Sequence, residues 1–414
     1  MRIAIIGGGA AGLMTAATLL EADQRSEVFL IEKNDAIGKK VLITGGGRCN
    51  VTTGLRGVRA VLGKYPRGGR FLSSAMRVFP PEDVCAWFEA HGVPLKTEAD
   101  DRVFPVSNDG RDIVRVFERL FETPRLHLLL RAAVERVERR GSGFAISLSG
   151  RSEPLEADRV VLTTGGQAYR HTGSTGDGYG FAISLGHTLT PLAPSLSALV
   201  TREKWPAEVS GLAFEKATLT AKNARTHKTA GPFLFTHKGV SGPAVFALSS
   251  LIAFEKFDDR EPLEIRLDLF PGLTAEKLAA EIAGRNILNP TRIFQNNLVG
   301  VMPKSLVDVC IREAGLPGNT RAAEVSKKDV RRCAAWLKAV PLHAVARIAG
   351  EEFVTAGGIP LAEVNPSTME SKICPGLYFA GEILDVDAFT GGFNLQSAWA
   401  TGRLAGLSIA GSSK

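Results

Sequence analysis

The chain has 414 residues, too many for one compact core, so two or three domains are expected. Its net charge of +7 is modest for this length and does not by itself indicate a nucleic-acid-binding protein. Five cysteines without a CxxC pair argue against a disulfide framework, a zinc knuckle or a dithiol redox pair. The sequence shows no signal peptide and no apolar run long enough to span a membrane, so we expect a cytoplasmic protein with no membrane partner.

The chain opens with a β-α-β pattern. Residues 2–6 predict a short buried strand, residues 13–21 a helix after a Gly-rich turn, and residues 28–31 a second strand. Two strands joined by one helix over so short a segment are typical of neighbours in a parallel sheet.

Farther along the chain, the type of predicted secondary structure changes twice. A second Gly-rich loop covers 41–53, and up to 190 the pattern mixes helices (81–89, 113–121, 180–184) with strands (126–130, 134–137, 144–148, 160–162). From 191 to about 269 the pattern predicts short strands (217–221, 233–235, 263–267). From 274 to 340 it predicts helices (275–283, 304–313, 327–339). Beyond 352 it predicts a strand at 377–380 and a helix at 394–404. The simplest topology is one nucleotide-binding domain interrupted by a long insertion.

The first Gly-rich turn has the pattern GxGxxG, and its context between a strand and a helix predicts dinucleotide binding. Gly7 would permit the tight turn, Gly9 the approach of a pyrophosphate to the backbone, and Gly12 close packing of helix against strand. Glu32 ends the next strand and would accept hydrogen bonds from the ribose hydroxyls of the adenosine. Because its carboxylate would repel a 2′-phosphate, NADP is disfavoured at this site.

NAD and FAD share this fingerprint, so segments farther along the chain have to decide between them. The loop 44–50 could lie against the pyrophosphate or the flavin, with Arg48 pairing a phosphate, or it could be a flexible loop. The strand at 160–162 runs into Thr164-Gly165, a weak signal alone.

A return segment near the C-terminus favours FAD. Residues 376–382 predict a strand that ends in Gly381-Glu382, and residues 390–396 open a helix. The carboxylate would bind the ribityl or pyrophosphate region, and the helix N-terminus would face the flavin edge that becomes negative on reduction. A plain NAD dehydrogenase has no need of such a segment.

Three segments carry a specific resemblance. With TGGGRCNVT at 44–52, FTHKGVSGP at 235–243, and GEILDVD at 381–387 followed by GGFNLQ at 391–396, the chain resembles BaiN/YhiN-type flavoproteins, also known as aminoacetone-oxidase-like NAD(P)/FAD-dependent proteins. The resemblance covers essentially the whole chain.

The resemblance implies an α/β fold with an insertion. A Rossmann-like FAD-binding domain of the two-dinucleotide-binding-flavoprotein type would occupy 1–190 and 352–414, a β-barrel-like domain 191–270 and 341–351, and a helical domain 271–340. It also implies FAD contacts at Glu32, Val134, Glu382, Asn394 and Leu395. Together with the motifs, the expected cofactor contacts are Gly7, Gly9, Ala11, Gly12, Glu32, Lys33, Lys39, Lys40, Gly46, Gly47, Arg48, Cys49, Val134, Thr164, Gly165, Gly381, Glu382, Asp387, Gly392, Phe393, Asn394 and Leu395. No metal site is expected.

The segment 39–81 contains nine Lys or Arg and no acid. Lys39 and Lys40 follow the ribose site and would serve FAD, but the other cations exceed what its two phosphates need. These are Arg56, Arg59, Lys64, Arg67, Arg70 and Arg77. They would receive an anionic substrate or the phosphates of NAD(P)H, or else form a solvated basic face.

The expected reaction is hydride transfer between flavin N5 and an unidentified small substrate. NAD(P)H would be a transient donor that reaches the flavin directly, because no second GxGxxG follows a convincing strand. Two alternatives stay open: an amine-oxidase-like FAD oxidase that returns electrons to oxygen, and a flavoprotein that binds or modifies RNA. RNA is the less favoured partner, since only Tyr65 and Phe71 lie among the arginines.

No residue is singled out securely as the acid or base. His237, in a Gly/Ser/Pro-containing loop, is the best catalytic candidate because imidazole titrates near neutrality, although a turn histidine bonded to backbone is the simpler interpretation. Cys49 is either a reactive thiol or a packed one.

Overall fold

The computed structural model describes residues 1–222, 225–348, 350 and 352–412. They form two compact units, one made of Met1–Ser195 with Glu352–Lys414 and the other of Leu196–Glu351. Each unit has a hydrophobic core of its own. No helix in the described part of the chain combines the length and apolar character needed to cross a membrane.

The strands and helices are as follows. The strands are β1 (Arg2–Ile6), β2 (Glu27–Ile31), β3 (Thr52–Thr53), β4 (Leu95–Thr97), β5 (Arg102–Pro105), β6 (Leu126–Leu129), β7 (Val134–Arg140), β8 (Gly143–Leu148), β9 (Leu155–Ala157), β10 (Arg159–Leu162), β11 (Ala193–Ser195), β12 (Leu199–Thr201), β13 (Ala213–Lys222), β14 (Thr226–Thr236), β15 (Gly239–Ser241), β16 (Leu263–Asp268), β17 (Val340–Arg347), β18 (Val354–Ala356) and β19 (Leu377–Phe379). The helices are α1 (Ala10–Ala22), α2 (Lys39–Ile43), α3 (Val58–Leu62), α4 (Ser73–Val78), α5 (Pro81–Ala90), α6 (Arg111–Leu120), α7 (Asp177–Ser184), α8 (Pro243–Leu251), α9 (Ala275–Leu288), α10 (Phe294–Leu298), α11 (Lys304–Glu313), α12 (Lys327–Lys338) and α13 (Phe393–Gly411).

A five-stranded parallel sheet in the order β19-β10-β1-β2-β6 organises the first unit. Four of the five residues of β1 are buried, as expected for a strand covered on both faces. Because the strands are parallel, their carboxyl ends meet at one edge of the sheet. Gly7, Glu32, Thr163 and Gly381 follow four neighbouring strands and therefore lie along that edge.

Helices α1 and α13 pack together through small residues. A Cβ at Gly402 would lie 2.5 Å from the carbonyl oxygen of Ala11, and one at Gly406 would lie 2.7 Å from Cβ of Thr18. The Thr15 hydroxyl donates to the Ala11 carbonyl at 2.8 Å and approaches that of Gly402 at 3.2 Å. The close approach joins the first and last helices of the chain beside the sheet.

A closed six-stranded barrel in the order β12-β15-β14-β13-β16-β17 forms the centre of the second unit. The alternation of buried and exposed residues along β16 is that of a strand with one face toward the core. Residues of α9, α11 and α12, such as Leu278, Leu306 and Cys333, share this core with Ile265 and Leu342 of the barrel. The barrel and the helices, which the sequence pattern separates at 270, therefore form one unit around one core.

The structure differs from the sequence pattern at three places. The loop predicted at 41–53 includes the end of α2, a 3₁₀ turn at 44–47 and β3. Strand β11 lies in the segment predicted as the inserted β domain. It pairs instead with β18 and belongs to the first unit. Helix α8 lies within the stretch predicted as β, because its apolar residues pack against the barrel.

Candidate functional site

The glycines after β1 have the geometry that a phosphate-binding turn needs. Gly7 has φ +110°, and an added Cβ there would lie 2.7 Å from the carbonyl oxygen of Thr163. A Cβ at Gly12 would lie 1.9 Å from the carbonyl oxygen of Gly7, so only glycine permits this packing. Gly9, in contrast, faces open space, with no described heavy atom within 4 Å of the position that a Cβ would occupy. A bulky anion can therefore approach the backbone at Gly9.

Helix α1 presents its N-terminus at the same point. Its N-cap is Gly9, which has no side chain to cap the first turn, and Ala11 lies in that turn. The first backbone N–H groups of a helix lack intrahelical partners and carry a partial positive charge. They suit the pyrophosphate of a dinucleotide.

Glu32 is held in a fixed orientation at the end of β2. Its carboxylate accepts from the backbone N–H of Gly8 at 2.8 Å and from the backbone and side-chain nitrogens of Asn34 at 2.8 and 2.7 Å. The residue is only 9% exposed. Because a carboxylate has about four acceptor positions, it retains capacity for the hydroxyls of a ribose.

Glu382 and Lys40 form an ion pair at the other end of the edge. Lys40 Nζ lies 2.7 Å from Oε2 of Glu382, and the N–H of Thr355 donates to Oε1 at 2.9 Å. A Cβ at Gly381 would lie 2.8 Å from Cβ of Ala11, so this loop runs beside the first turn of α1. The fold therefore brings the two dinucleotide signals, from opposite ends of the chain, against one another.

The start of α13 is held by several hydrogen bonds. Gly392, its N-cap, has φ +89°, and a Cβ there would lie 2.2 Å from the carbonyl oxygen of Thr52. The side-chain amide of Asn394 exchanges two hydrogen bonds of 3.0 Å with the backbone of Ala388. The Tyr65 hydroxyl donates to the carbonyl of Phe393 at 2.6 Å, and burial raises the pKa of this phenol. The N–H groups of this second helix N-terminus are thereby fixed in direction.

The residues of the loop 44–50 make contacts within the protein that the sequence pattern does not indicate. Gly46 and Gly47 are exposed, have positive φ and face open space. Arg48, predicted to pair a phosphate, pairs with Glu98 at 2.7 Å and stacks 3.8 Å above the Phe104 ring. Cys49 is fully buried, and burial raises the pKa of its thiol to about 12, so it stays a neutral packed thiol.

The remaining expected contacts lie around the adenosine end. Lys33 Nζ is 2.5 Å from Asp177, and Lys39 Nζ is 2.7 Å from Asp35, so both cations already have partners. Val134 begins β7 and is half-buried. The remaining two positions, Thr164 and Gly165, follow β10 at the same edge of the sheet; Gly165 has φ +74°.

Asp387 is not available to a ligand, contrary to its prediction as a cofactor contact. It is fully buried, and both of its oxygens are engaged by Arg67, with the Ser195 hydroxyl donating to Oδ2 at 2.8 Å. Arg67, one of the cations predicted either to receive an anionic ligand or to form a solvated basic face, is held in this pair. Neighbouring Asp385 has a buried Oδ1 without a hydrogen-bond partner in the described residues, and burial raises the pKa of its carboxyl.

The other cations of segment 39–81 divide into paired and unpaired groups. Arg56 lies 3.7 Å from Glu82, and Arg77 donates to Ser73. Arg59, Lys64 and Arg70 are exposed and form no ion pair with another described residue.

An open cleft of about 690 Å³ is lined by two of these unpaired cations. Its lining residues are Leu55, Gly57, Arg59, Ala60, Gly63 and Lys64. The N–H of Phe389, just before the Gly391-Gly392 turn, donates to the carbonyl of Lys64 at 3.0 Å. The cleft therefore adjoins the loop that leads into α13.

His237, the predicted acid or base, belongs to the second unit. It is exposed in the two-residue turn between β14 and β15. Asn34, Thr355 and Tyr65 are not singled out by the sequence pattern, although they orient Glu32, Glu382 and α13. Only Asn34 has a local signal, its position two residues after the ribose carboxylate; the other two are far from their partners in the chain.

The residues present fit a long dinucleotide. Two helix N-termini, open space at Gly9, Gly46 and Gly47, and oriented carboxylates at Glu32 and Glu382 all lie on the first unit. Such a set can bind the pyrophosphate, the ribose and an electron-accepting ring at once.

The chain matches a known family and known proteins over nearly its full length. The family "HI0933-like protein Rossmann domain" matches residues 1–408. A 3-dehydro-bile acid delta(4,6)-reductase from Clostridium scindens is 32% identical, with 99% of each chain covered. A ribosomal RNA dihydrouridine synthase from Escherichia coli is 29% identical, covering 96% of this chain and 95% of the relative.

A solved structure shows the same fold. The 3-ketosteroid delta1-dehydrogenase from Sterolibacterium denitrificans matches with a TM-score of 0.53 and 13% identity, covering 99% of both chains. The first unit is thus a Rossmann-like FAD-binding domain, interrupted by an insertion that contains a closed six-stranded barrel.

Proposed function

We propose, from the premise that this chain belongs to the HI0933-like Rossmann-domain family, that it reduces a carbon–carbon double bond conjugated to a carbonyl group. The chain is an FAD-dependent oxidoreductase. The observation that carries the finer proposal is the common chemistry in the names of its full-length relatives. A delta(4,6)-reductase of a 3-oxo bile acid and a synthase of dihydrouridine both saturate such a double bond.

The chain's own residues would bind and orient the cofactor along the sheet edge. Glu32 would accept from the ribose hydroxyls, the N–H groups at the start of α1 would bind the pyrophosphate, and Glu382 with Lys40 would hold the ribityl region. FAD, when bound, supplies hydride transfer at flavin N5. The fixed N–H groups at the start of α13 would stabilise negative charge on the ring, which favours its reduced form.

The substrate would enter beside α13. The cleft lined by Arg59 and Lys64 adjoins the loop before α13, and its cations have no ion-pair partner in the described residues. An anionic group on the substrate, or a phosphate of NAD(P)H as electron donor, would be bound there. Arg67 would act only by fixing the loop through Asp387.

A second candidate has the same chemistry and a different substrate, a uridine in RNA. It is supported by the two ribosomal RNA dihydrouridine synthases among the relatives, from Escherichia coli and Haemophilus influenzae, the latter 30% identical over 98% of this chain. The basic cleft would then bind backbone phosphates, and binding would weaken with salt.

The first experiment is a visible spectrum of the purified protein incubated with FAD, followed by NADH or NADPH without oxygen. We expect flavin bands that bleach with one of the two donors. Reoxidation by a 3-oxo-4,6-diene steroid acid would support the first candidate, and reoxidation by a uridine-containing RNA the second. A protein that binds no FAD, or a reduced flavin that only oxygen reoxidises with release of peroxide, would overturn the proposal.

A matched pair of variants tests the cleft. Arg59→Glu with Lys64→Glu should raise KM for the anionic substrate or donor by about tenfold, because attraction becomes repulsion. The FAD content should stay unchanged. Lys327→Glu with Arg331→Glu makes the same change of charge on the exposed face of α12, and its KM should equal that of the parent protein. Equal effects of the two pairs would exclude the cleft as the anion site.

A further inference from the structure

A polar cavity of about 200 Å³ lies in the second unit, at the end of α9 and beside α10. Its polar lining consists of Arg285, Asn289, Arg292, Asn296 and Asn297. Two arginines and three asparagines line it, and no acidic residue does so among those that the structure describes. The oxidoreductase site described above uses none of these residues.

The cavity has buried polar atoms without partners. Asn297 is only 4% exposed, and its Oδ1 has no hydrogen-bond partner in the described residues, while its Nδ2 donates to Asn286 at 3.1 Å. Nε of Arg285 and Nδ2 of Asn286 are buried and unpartnered as well. A buried polar atom that stays without a hydrogen bond destabilises the folded protein. Two of these atoms, Oδ1 of Asn297 and Nε of Arg285, belong to residues that line the cavity, which indicates that a polar occupant completes the site.

The two arginines are held in different ways. The guanidinium of Arg285 packs against Gly300, where a Cβ would lie 2.0 Å from Nη1, and its other nitrogen lies 3.5 Å from Glu281. Arg292 is exposed and forms no ion pair with another described residue. One cation is thus fixed by packing, and the other has its charge uncompensated.

We infer that this cavity binds the phosphate group of an organic phosphate ester. Guanidinium groups pair with phosphate oxygens through charge-assisted hydrogen bonds, and the asparagine amides add neutral donors. The free Oδ1 of Asn297 is an acceptor and suits a hydroxyl of the same ligand. The volume exceeds by several fold the roughly 30 Å³ share of one water molecule.

Aliphatic residues in the same segments favour an ester over free phosphate. Val299 lines the cavity and is 44% exposed, while Ile287 and Leu288, next to the cavity residues in sequence, are 78% and 81% exposed. Exposed apolar surface that is rimmed by polar residues is typical of ligand-binding grooves. These side chains suit the sugar or base of a nucleotide, whether free or within RNA, and the shared chemistry is the phosphate ester.

The test measures binding to the FAD-loaded protein by calorimetry, with inorganic phosphate, 5′-AMP and a short single-stranded RNA as probes. FAD loading keeps AMP out of the adenosine site, and no turnover is needed, so failure of the proposed reaction leaves this test unaffected. We expect AMP or the RNA to bind more tightly than inorganic phosphate. Binding of RNA alone identifies a diester in a polymer as the ligand, and binding of AMP identifies a free nucleotide.

Two variants and one control assign the binding to the cavity. Arg292→Gln removes an exposed charge without a packing role and should weaken binding about tenfold, and Asn297→Asp should weaken it further by placing a negative charge inside. Arg331→Gln, an exposed arginine on α12, should leave binding unchanged. The inference is overturned if no probe saturates, or if Arg292→Gln and Arg331→Gln behave alike.

Discussion

At the scale of single residues, the site depends on which charges already have partners. Arg67 and Asp387 are 320 residues apart, yet they form a bidentate pair in which Asp387 has no exposure. Such a pair contributes modestly when intact, but removal of one partner leaves an uncompensated charge in a medium of low dielectric constant. We therefore interpret it as a clamp that fixes the loop before α13.

Asp387→Asn keeps the shape of the side chain and removes its charge. We expect a loss of about 3 kcal/mol in the free energy of unfolding of the first unit, at the lower end of the range for a broken buried pair because Arg67 keeps 18% exposure. Urea unfolding followed by Trp87 and Trp399 fluorescence measures it. Glu156→Gln, which breaks an exposed pair with Arg140 in the same unit, should cost less than about 1 kcal/mol. Similar losses in both variants would contradict the assignment.

His187 gives the first unit a dependence on pH. Its buried ring lies 2.8 Å from Oε2 of Glu363 and 2.7 Å from the hydroxyl of Ser371. That hydroxyl already accepts from the N–H groups of Ile373 and Cys374, so it donates to Nε2 and the imidazole is neutral. Burial lowers the pKa of His187, although the carboxylate of Glu363 acts to raise it.

Because the folded pKa lies below the unfolded one, the unfolded state takes up a proton first as pH falls. The stability that His187 contributes is therefore complete above about pH 6.5 and declines as pH falls from there through the lowered pKa of the folded state. Urea unfolding of the first unit at a series of pH values measures this slope. In His187→Gln the slope should flatten in that interval. A parent protein whose stability rises as pH falls there would refute the prediction.

At the scale of elements, helix α13 depends on α1 for its position. Gly402→Ala adds a Cβ that would lie 2.5 Å from the carbonyl oxygen of Ala11, so the two helices must separate. We expect a destabilisation of about 1–3 kcal/mol, typical of overpacking, together with weaker FAD retention, since both helix N-termini belong to the cofactor site. Unfolding curves and the FAD content after gel filtration measure the two effects.

Gly180→Ala is the matched control for this change. Gly180 lies within α7, in the same unit as Gly402, and has no described heavy atom within 4 Å of an added Cβ. Alanine should therefore stabilise the helix by about 0.5–1 kcal/mol, because glycine loses more backbone entropy on folding. If both substitutions shift stability in the same direction, close packing at Gly402 is not the cause.

The helices predicted correctly are those whose periodicity and capping residues lie within a short stretch of sequence. Helix α11 spans the predicted 304–313. The side chain of Ser326 caps α12 by accepting a hydrogen bond from the N–H of Asp329 at 3.1 Å. Both features can be read from the sequence because periodicity and caps depend on residues close together in the chain. The predicted loop at 41–53 overlaps the end of α2, a helix that buries only Val41. So short a helix has little periodicity to detect.

At the scale of the whole molecule, two separate cores predict two unfolding transitions. Trp87 and Trp399 lie in the first unit, and Trp205 and Trp336 in the second, so two double Trp→Phe variants isolate one reporter pair each. FAD at one hundred times its Kd should stabilise the first unit by about 2.7 kcal/mol and leave the second unchanged. Thermal unfolding with and without FAD measures both. An equal shift of the two reporter pairs would mean that the units unfold together.

The sequence by itself determined the class of cofactor, the parallel sheet and the order of β and helical segments in the insertion. Each of these depends on short segments that can be read directly from adjacent residues. GxGxxG, Glu32 and the Gly381-Glu382 segment each indicate a local turn at a strand end, and the topology of a parallel sheet brings strand ends together. Only the tertiary structure decided which charges remain available. Arg48 is paired by Glu98 and Asp387 by Arg67, and a partner distant in the chain has no signature in the local pattern, because ion pairing depends on distance in space and burial rather than on spacing in sequence.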